Sequence, residues 1–211
     1  MNGNLGESLL LLAPVLITFV GAMGIMMVEA IVRPPDKGIF RILSLLLVGV
    51  SALATVGLMP MVTPAVEAFS GMVRMDQYGL SFQLITLLAG FFSLLISHEY
   101  LEQLGVRIGE YYALVLFGVC GMQLMSISSD LMMVFLSLEV MSISMYVLCA
   151  IKRADSKSVE SGFKYFILGA FASGIMLYGI AFIFGATGST NFTAISHALA
   201  SGQENTLLLV G

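Results

Sequence analysis

Glu139 stands near the middle of LMMVFLSLEVMSISMYVLCAI, the apolar run from Leu131 to Ile151. At bilayer depth an ionisable group costs several kcal/mol unless it meets a partner or a water-filled cavity, so its default chemistry is to carry a proton or an ion. A helix rising about 1.5 Å per residue puts this carboxylate roughly 18 Å from the basic end of the run. The other reading is structural, a carboxylate that ties two helices together through a hydrogen bond. On the same helix Phe135, Glu139, Ser142 and Tyr146 follow one another at spacings of four, three and four, which gathers one acid and two hydroxyls on a single face. A hydrated seam lined by protein uses such a face; lipid does not.

Lys164 is the second candidate. Asp155 and Ser156 are both good N-caps, so a helix starting there carries Lys164 about two turns in, roughly 10 Å from its start. Two readings stay open for it: a titratable group on a proton path, or a lysine whose stem lies in lipid and whose ammonium reaches the headgroups. Glu29, Glu99, Glu102, Glu110 and His98 lie near the ends of apolar runs and read as interfacial. His197 falls in the polar segment NFTAISHALASGQEN and reads as a solvated loop histidine. Cys120 and Cys149 stand alone in separate apolar runs, which suits small core residues and neither a disulfide framework nor a metal site. The methionines are scattered over most of the runs, as adaptable packing requires. Nothing resembles a phosphate-cradling glycine loop, an iron–sulfur cysteine cluster or a nucleophile with a histidine partner.

The elements that position these residues follow from composition. Of 211 residues 58% are hydrophobic and 10% charged, with a mean hydropathy of +0.99, against roughly 25% charged in a soluble domain. A net charge of −4 spread over separate loops leaves no basic patch for nucleic acid. Six runs have about the length a bilayer core requires: Leu9 to Val32, Ile42 to Met61, Tyr78 to Ser97, Tyr111 to Ile127, Leu131 to Ile151 and Phe163 to Phe184. A seventh opens at Thr206 and reaches only Gly211. The predicted fold class is therefore all-α, a polytopic transmembrane bundle of six full helices plus the start of a seventh. No Lys or Arg precedes the first run, and it continues for 24 residues, which argues against a cleaved signal peptide. Pro14 lies early in that run, where a bundle can re-satisfy the backbone around it. Gly169 with Ser173, and Ala170 with Gly174, form small-xxx-small pairs that let helices approach closely.

Orientation follows from the basic residues. Arg33, Lys37, Arg41, Arg107, Lys152, Arg153 and Lys157 fall on one side and Arg74 on the other. The positive-inside rule then places the N-terminus outside, facing the periplasm of a bacterial cell.

The segment FLSLEVMSISMYVL, Phe135 to Leu148, followed by KYFILGAFASGIMLYGIAFIFGATGST, Lys164 to Thr190, resembles subunit N (subunit 2) of the proton-translocating NADH:quinone oxidoreductase, respiratory complex I. The resemblance rests on the Leu138–Glu139 pair with Ser and Tyr after it, then Lys-Tyr-Phe, Leu-Gly-Ala, Ala-Ser, Leu-Tyr-Gly and Gly-x-Thr-Gly. Phe184, where Tyr is common, is a departure that touches no charge. The resemblance implies an antiporter-like subunit of two inverted five-helix repeats after leading helices. It places the leading helices in 1–105 and the start of a truncated proton-translocation domain, a half-repeat, in 106–211. It further implies that Glu139 and Lys164 take part in proton translocation, and that a lysine on the next helix, beyond Gly211, partners Glu139. The chain itself would carry no cofactor or metal. NADH, FMN, iron–sulfur clusters and quinone would sit on partner subunits, and the partners would be other membrane-arm subunits in the bacterial inner membrane. Two rivals remain: a subunit of a multi-subunit cation/proton antiporter, and a structural membrane scaffold in which Glu139 is only a contact.

Overall fold

A computed structural model of the protein describes residues 5–32, 34–105, 108–200 and 211. Its helices are α1 (Leu5–Leu11), α2 (Ala13–Ile31), α3 (Gly38–Leu58), α4 (Gln77–Gln103), α5 (Glu110–Ser126), α6 (Leu131–Cys149), α7 (Ser156–Thr187) and α8 (Phe192–Ala200). Between α3 and α4 runs a short antiparallel hairpin, β1 (Val66–Ala68) and β2 (Val73–Met75). The six expected spans are α2 to α7. Five of them are long and apolar enough to cross a membrane. The sixth, α5, has 17 residues, about 26 Å of helix and the lower limit for a span. The run from Thr206 lies outside the described residues apart from Gly211, as do Arg33 and Arg107.

Helices α2, α3, α4 and α5 pack as a ring, each against two neighbours, and α5 then carries α6, which carries α7. The ring encloses the core, where Ile25, Phe40, Leu87, Leu94, Tyr112 and Leu116 are buried. Helix α7 lies outermost and buries only Gly162 and Ile180. Because the basic loops fall on alternate connections, the ends of α2, α4 and α6 share one side with the start of α7.

The first apolar run is interrupted, contrary to a single helix from Leu9 to Val32. Leu12 leaves helical geometry at φ −84° and ψ 2°, and Pro14 sits in the first turn of α2. Proline lacks an N–H, so the first turn, where no intrahelical acceptor waits, is the position that tolerates it best. Its carbonyl accepts a bond from Ser51 Oγ at 2.8 Å.

The hairpin was not foreseen from the sequence, and it organises the end of the bundle opposite the basic loops. Its turn puts Phe69, Ser70 and Gly71 at positive φ, with Gly71 at +83°. Arg74 N–H bonds Ile127 O at 2.9 Å, Asn191 Nδ2 bonds Gly71 O at 2.8 Å, and Asp130 pairs with Asn191 in a β-bridge. Three connections are thus laced together. The carboxylates of Asp76, Asp130 and Asp155 cap α4, α6 and α7, satisfying N–H groups that a helix start leaves free.

His197 does not lie in a loop. It is on α8, where Asn191 Oδ1 accepts from Thr193 N–H at 3.0 Å. The cap and the helical spacing of Phe192, Ile195 and Leu199 overcome the polar composition of the segment.

Helices α5 and α6 approach closely at Gly121. A Cβ there would stand 2.7 Å from both Met141 N and Ser137 O, which are backbone atoms and cannot swing away. At Gly118, on the same helix, a Cβ would meet nothing within 4 Å. Gly121→Ala is therefore expected to destabilise the α5–α6 contact by about 1–3 kcal/mol of overpacking, while Gly118→Ala gains helix propensity at no such cost. Thermal unfolding and recovery of the full-length subunit from membranes should separate the two. Equal behaviour would mean that the helices part without penalty.

Candidate functional site

The contacts between α6 and α7 run in opposite senses along the two helices. Ala150 faces Gly162, Tyr146 faces Gly169, and Glu139 faces Ser173. Ser173 donates its hydroxyl to Glu139 Oε1. Eight residues into α6, the carboxylate lies about 12 Å from one helix end and about 15 Å from the other, so it sits at mid-span. Its side chain is half-buried, as are Phe135 and Ser142 on the same face, while Tyr146 is buried. Of the face expected from spacing, Glu139 and Tyr146 meet α7.

Tyr146 closes this seam toward the basic side. Its ring stands edge-on to Tyr165 at 4.9 Å and to Phe166 at 5.9 Å, and its hydroxyl occupies the space a Cβ would take at Gly169. Of the two small-residue pairs, Gly169 with Ser173 packs against α6. Ala170 and Gly174 are exposed, because they lie one position further round α7.

Lys164 is eight residues into α7, whose start is capped by Asp155. Its Nζ donates to Glu160 Oε1 at 2.5 Å within the same helix, and the two side chains are 68% and 60% exposed. By the antiparallel register Lys164 lies level with Leu148, about 13 Å along the axis from Glu139. Glu139 lies in the α6–α7 seam, while Lys164 points away from α6, on the face of α7 opposite Gly162, Gly169 and Ser173, so the two candidates are not brought together. No basic side chain stands at ion-pair distance from Glu139 among the described residues.

Other ionisable groups take places that sequence alone did not separate. Glu29, expected at an interface, is at the end of α2 but only 8% exposed, and Lys37 Nζ bonds both its oxygens at 2.6 Å. Burial demands such a partner, since an unpaired buried charge costs several kcal/mol. His98 Nδ1 lies 3.2 Å from the Tyr112 hydroxyl, and Glu99 and Glu102 are exposed.

Deeper in the ring runs a polar network missed in the sequence. Thr18 Oγ1 donates to Gln123 Oε1 at 2.7 Å, Gln123 Nε2 donates to Ser51 Oγ at 3.2 Å, and Gln83 Nε2 reaches Gln123 O at 3.4 Å. All four side chains are fully buried. Gln83 and Gln123, amides inside apolar runs, were the available signal, because a buried amide requires partners.

Residues 128–211 match the family described as NADH:quinone oxidoreductase/Mrp antiporter, TM. The chain is similar to the NADH-quinone oxidoreductase subunit N of Trichlorobacter lovleyi, with 40% identity over 201 residues, covering 94% of this chain and 40% of that protein. Its fold is similar to a chain of respiratory complex I from Thermus thermophilus with bound aureothin, at 26% identity and a TM-score of 0.68 over 94% of this chain and 42% of that one. It is also similar in fold to a chain of the membrane-bound sulfane sulfur reductase, an archaeal respiratory membrane complex, with a TM-score of 0.78 at 21% identity, covering 97% of this chain and 42% of that one. The chain spans about two fifths of the length of these relatives.

Proposed function

We propose, from the premise that the chain belongs to an antiporter-like membrane subunit of the NADH-quinone oxidoreductase subunit N family, that it couples quinone reduction elsewhere in a respiratory complex to proton movement at Glu139. The observation that carries this reading is the carboxylate at mid-span, held by Ser173 and facing no basic side chain among the described residues. Such a group takes up a proton when its surroundings dry and releases one when a cation or water approaches. Redox energy arriving from other subunits would alternate those surroundings. The work of this chain is then gating, with no bond-making chemistry of its own. Lys164, on the outward face of α7 toward the basic side, is the proposed second station. The cation that completes the cycle would come from the following helix, as the family resemblance implies.

The proposed partners are the other membrane-arm subunits, with NADH, FMN, iron–sulfur clusters and quinone on them or beyond them. The rival within transport is a cation/proton antiporter subunit, and the matched family description names both kinds. The subunit N relative favours the respiratory reading. Purification of the tagged full-length subunit from membranes should recover NADH-oxidising partners. Recovery of cation-antiporter subunits alone would assign the chain to the rival.

The proposed orientation keeps the N-terminus outside. In the full-length subunit, an impermeant thiol reagent added to the periplasm should label Ser70→Cys in the hairpin turn and spare Ala154→Cys between α6 and α7. Both positions are exposed. The reverse pattern would invert the topology.

A further inference from the structure

Two cavities on the basic side of the bundle adjoin and share part of their lining. The first, about 760 Å³, lies between the ends of α2 and α4, the start of α5 and the α6–α7 connection. Glu110, Lys152, Arg153 and Asp155 line it, together with Glu29, whose charge is already met by Lys37. The second, about 440 Å³, descends between α6 and α7 along Val147, Phe163 and Phe166 and beside Leu114 of α5. Ile108, Glu110, Ile151 and Arg153 line both. Each volume lies in the range of small-ligand sites, roughly 300–1,000 Å³. A charged chamber at the membrane surface therefore continues as an apolar groove toward the membrane interior.

The charges decide what fits. With Glu29 paired, the described lining residues set two carboxylates, Glu110 and Asp155, against two cations, Lys152 and Arg153. Arg153 and Glu110 stand at the junction 3.7 Å apart, a distance too long for a close pair, with the Arg153 side chain 81% exposed. Lys152 makes no ion pair among the described residues. An anionic lipid would meet Glu110 and Asp155 with like charge. An uncharged ligand would leave the cations unused. A ligand carrying phosphate and ammonium together, on an apolar chain, answers every part of the site.

We infer that this paired cavity binds one phosphatidylethanolamine molecule, its phosphate at Lys152 and Arg153, its ammonium at Glu110, and an acyl chain in the groove between α6 and α7. The lipid would wedge the basic end of the α6–α7 seam in which Glu139 lies. The assignment does not depend on whether the subunit serves a respiratory complex or an antiporter.

The test uses the full-length subunit in its assembled complex, reconstituted into vesicles containing phosphatidylethanolamine or phosphatidylglycerol with a photoactivatable acyl chain. Crosslinks from the phosphatidylethanolamine probe should concentrate on Val147, Phe163 and Phe166, above the level on Ile85 and Leu88, the exposed apolar face of α4. The phosphatidylglycerol probe should label the groove less. Glu110→Gln, which keeps the side-chain shape, should reduce that preference by up to about fivefold, the worth of one partly exposed ion pair. Val147→Trp should fill the groove and remove labelling at Phe163 and Phe166 while α4 stays labelled. Equal labelling by the two probes, an unchanged preference in Glu110→Gln, or an unlabelled groove in the wild type because another segment fills it, would each overturn the assignment. If Glu110→Gln does not assemble, the wild-type preference and Val147→Trp decide.

Discussion

Glu139→Gln in the full-length subunit is expected to leave assembly intact and to bring NADH-driven proton uptake by inverted vesicles down to near the level of vesicles lacking the subunit. The structure makes the substitution discriminating. Ser173 donates to the Glu139 carboxylate, and a glutamine carbonyl accepts the same bond, so the α6–α7 contact survives while the titratable proton is lost. A purely structural carboxylate, whose worth is one hydrogen bond, would tolerate the change. Glu139→Asp keeps the charge but draws it back one methylene from Ser173, so partial pumping is expected. The measurement is proton uptake alongside the amount of complex recovered from membranes. Wild-type pumping by Glu139→Gln would leave the helix-contact reading standing.

Lys164→Ala is the second substitution with a large expected effect on proton uptake, and the magnitudes make its outcome readable. The only ion pair Lys164 makes among the described residues is with Glu160 on the same helix, both side chains more than half exposed. Such i,i+4 pairs contribute about 0.3–0.5 kcal/mol, less when screened, and alanine is the better helix former. Helix α7 should therefore stay folded, and lost pumping cannot be assigned to lost stability. If Lys164 is a proton station, Lys164→Ala should pump poorly and Lys164→Arg, which holds its proton tightly, should fall between it and the wild type. An anchoring lysine predicts full activity for the arginine variant. Wild-type pumping by both variants at normal assembly would remove Lys164 from the path.

The seam also indicates how far function here depends on relative placement. Glu139 and Lys164 are separated by about 13 Å along the helix axis, well beyond direct proton transfer. Tyr146 and Ser142 occupy the face between Glu139 and the basic end. Because Lys164 points away from α6, coupling between the two needs water, other groups or a rearrangement of α7 against α6. The buried Tyr146 ring, packed on Tyr165 and Phe166, is the group such a rearrangement would have to move.

The positions of Glu139 at mid-span and of Lys164 two turns into its helix were readable in the sequence, because both depend on run length and on a local cap at Asp155. Six spans were readable for the same reason: the bilayer demands a length, and length is counted along the chain. The interruption at Leu12 and the helical character of 192–200 were local too, signalled by Pro14 and Asn191, but composition masked them. What only the tertiary structure decided was partnership. Ser173 and Gly174 are neighbours of similar size, yet one bonds Glu139 and the other lies exposed. Glu29 and Glu110 both stand at span ends, yet one is buried against Lys37 and the other lines both cavities beside Arg153. Thr18, Ser51, Gln83 and Gln123 meet from four helices. The rotation of each helix about its axis and its register against its neighbours are set by close packing at sites such as Gly121 and Gly169, between residues far apart in the chain, and no local pattern records which of them will meet.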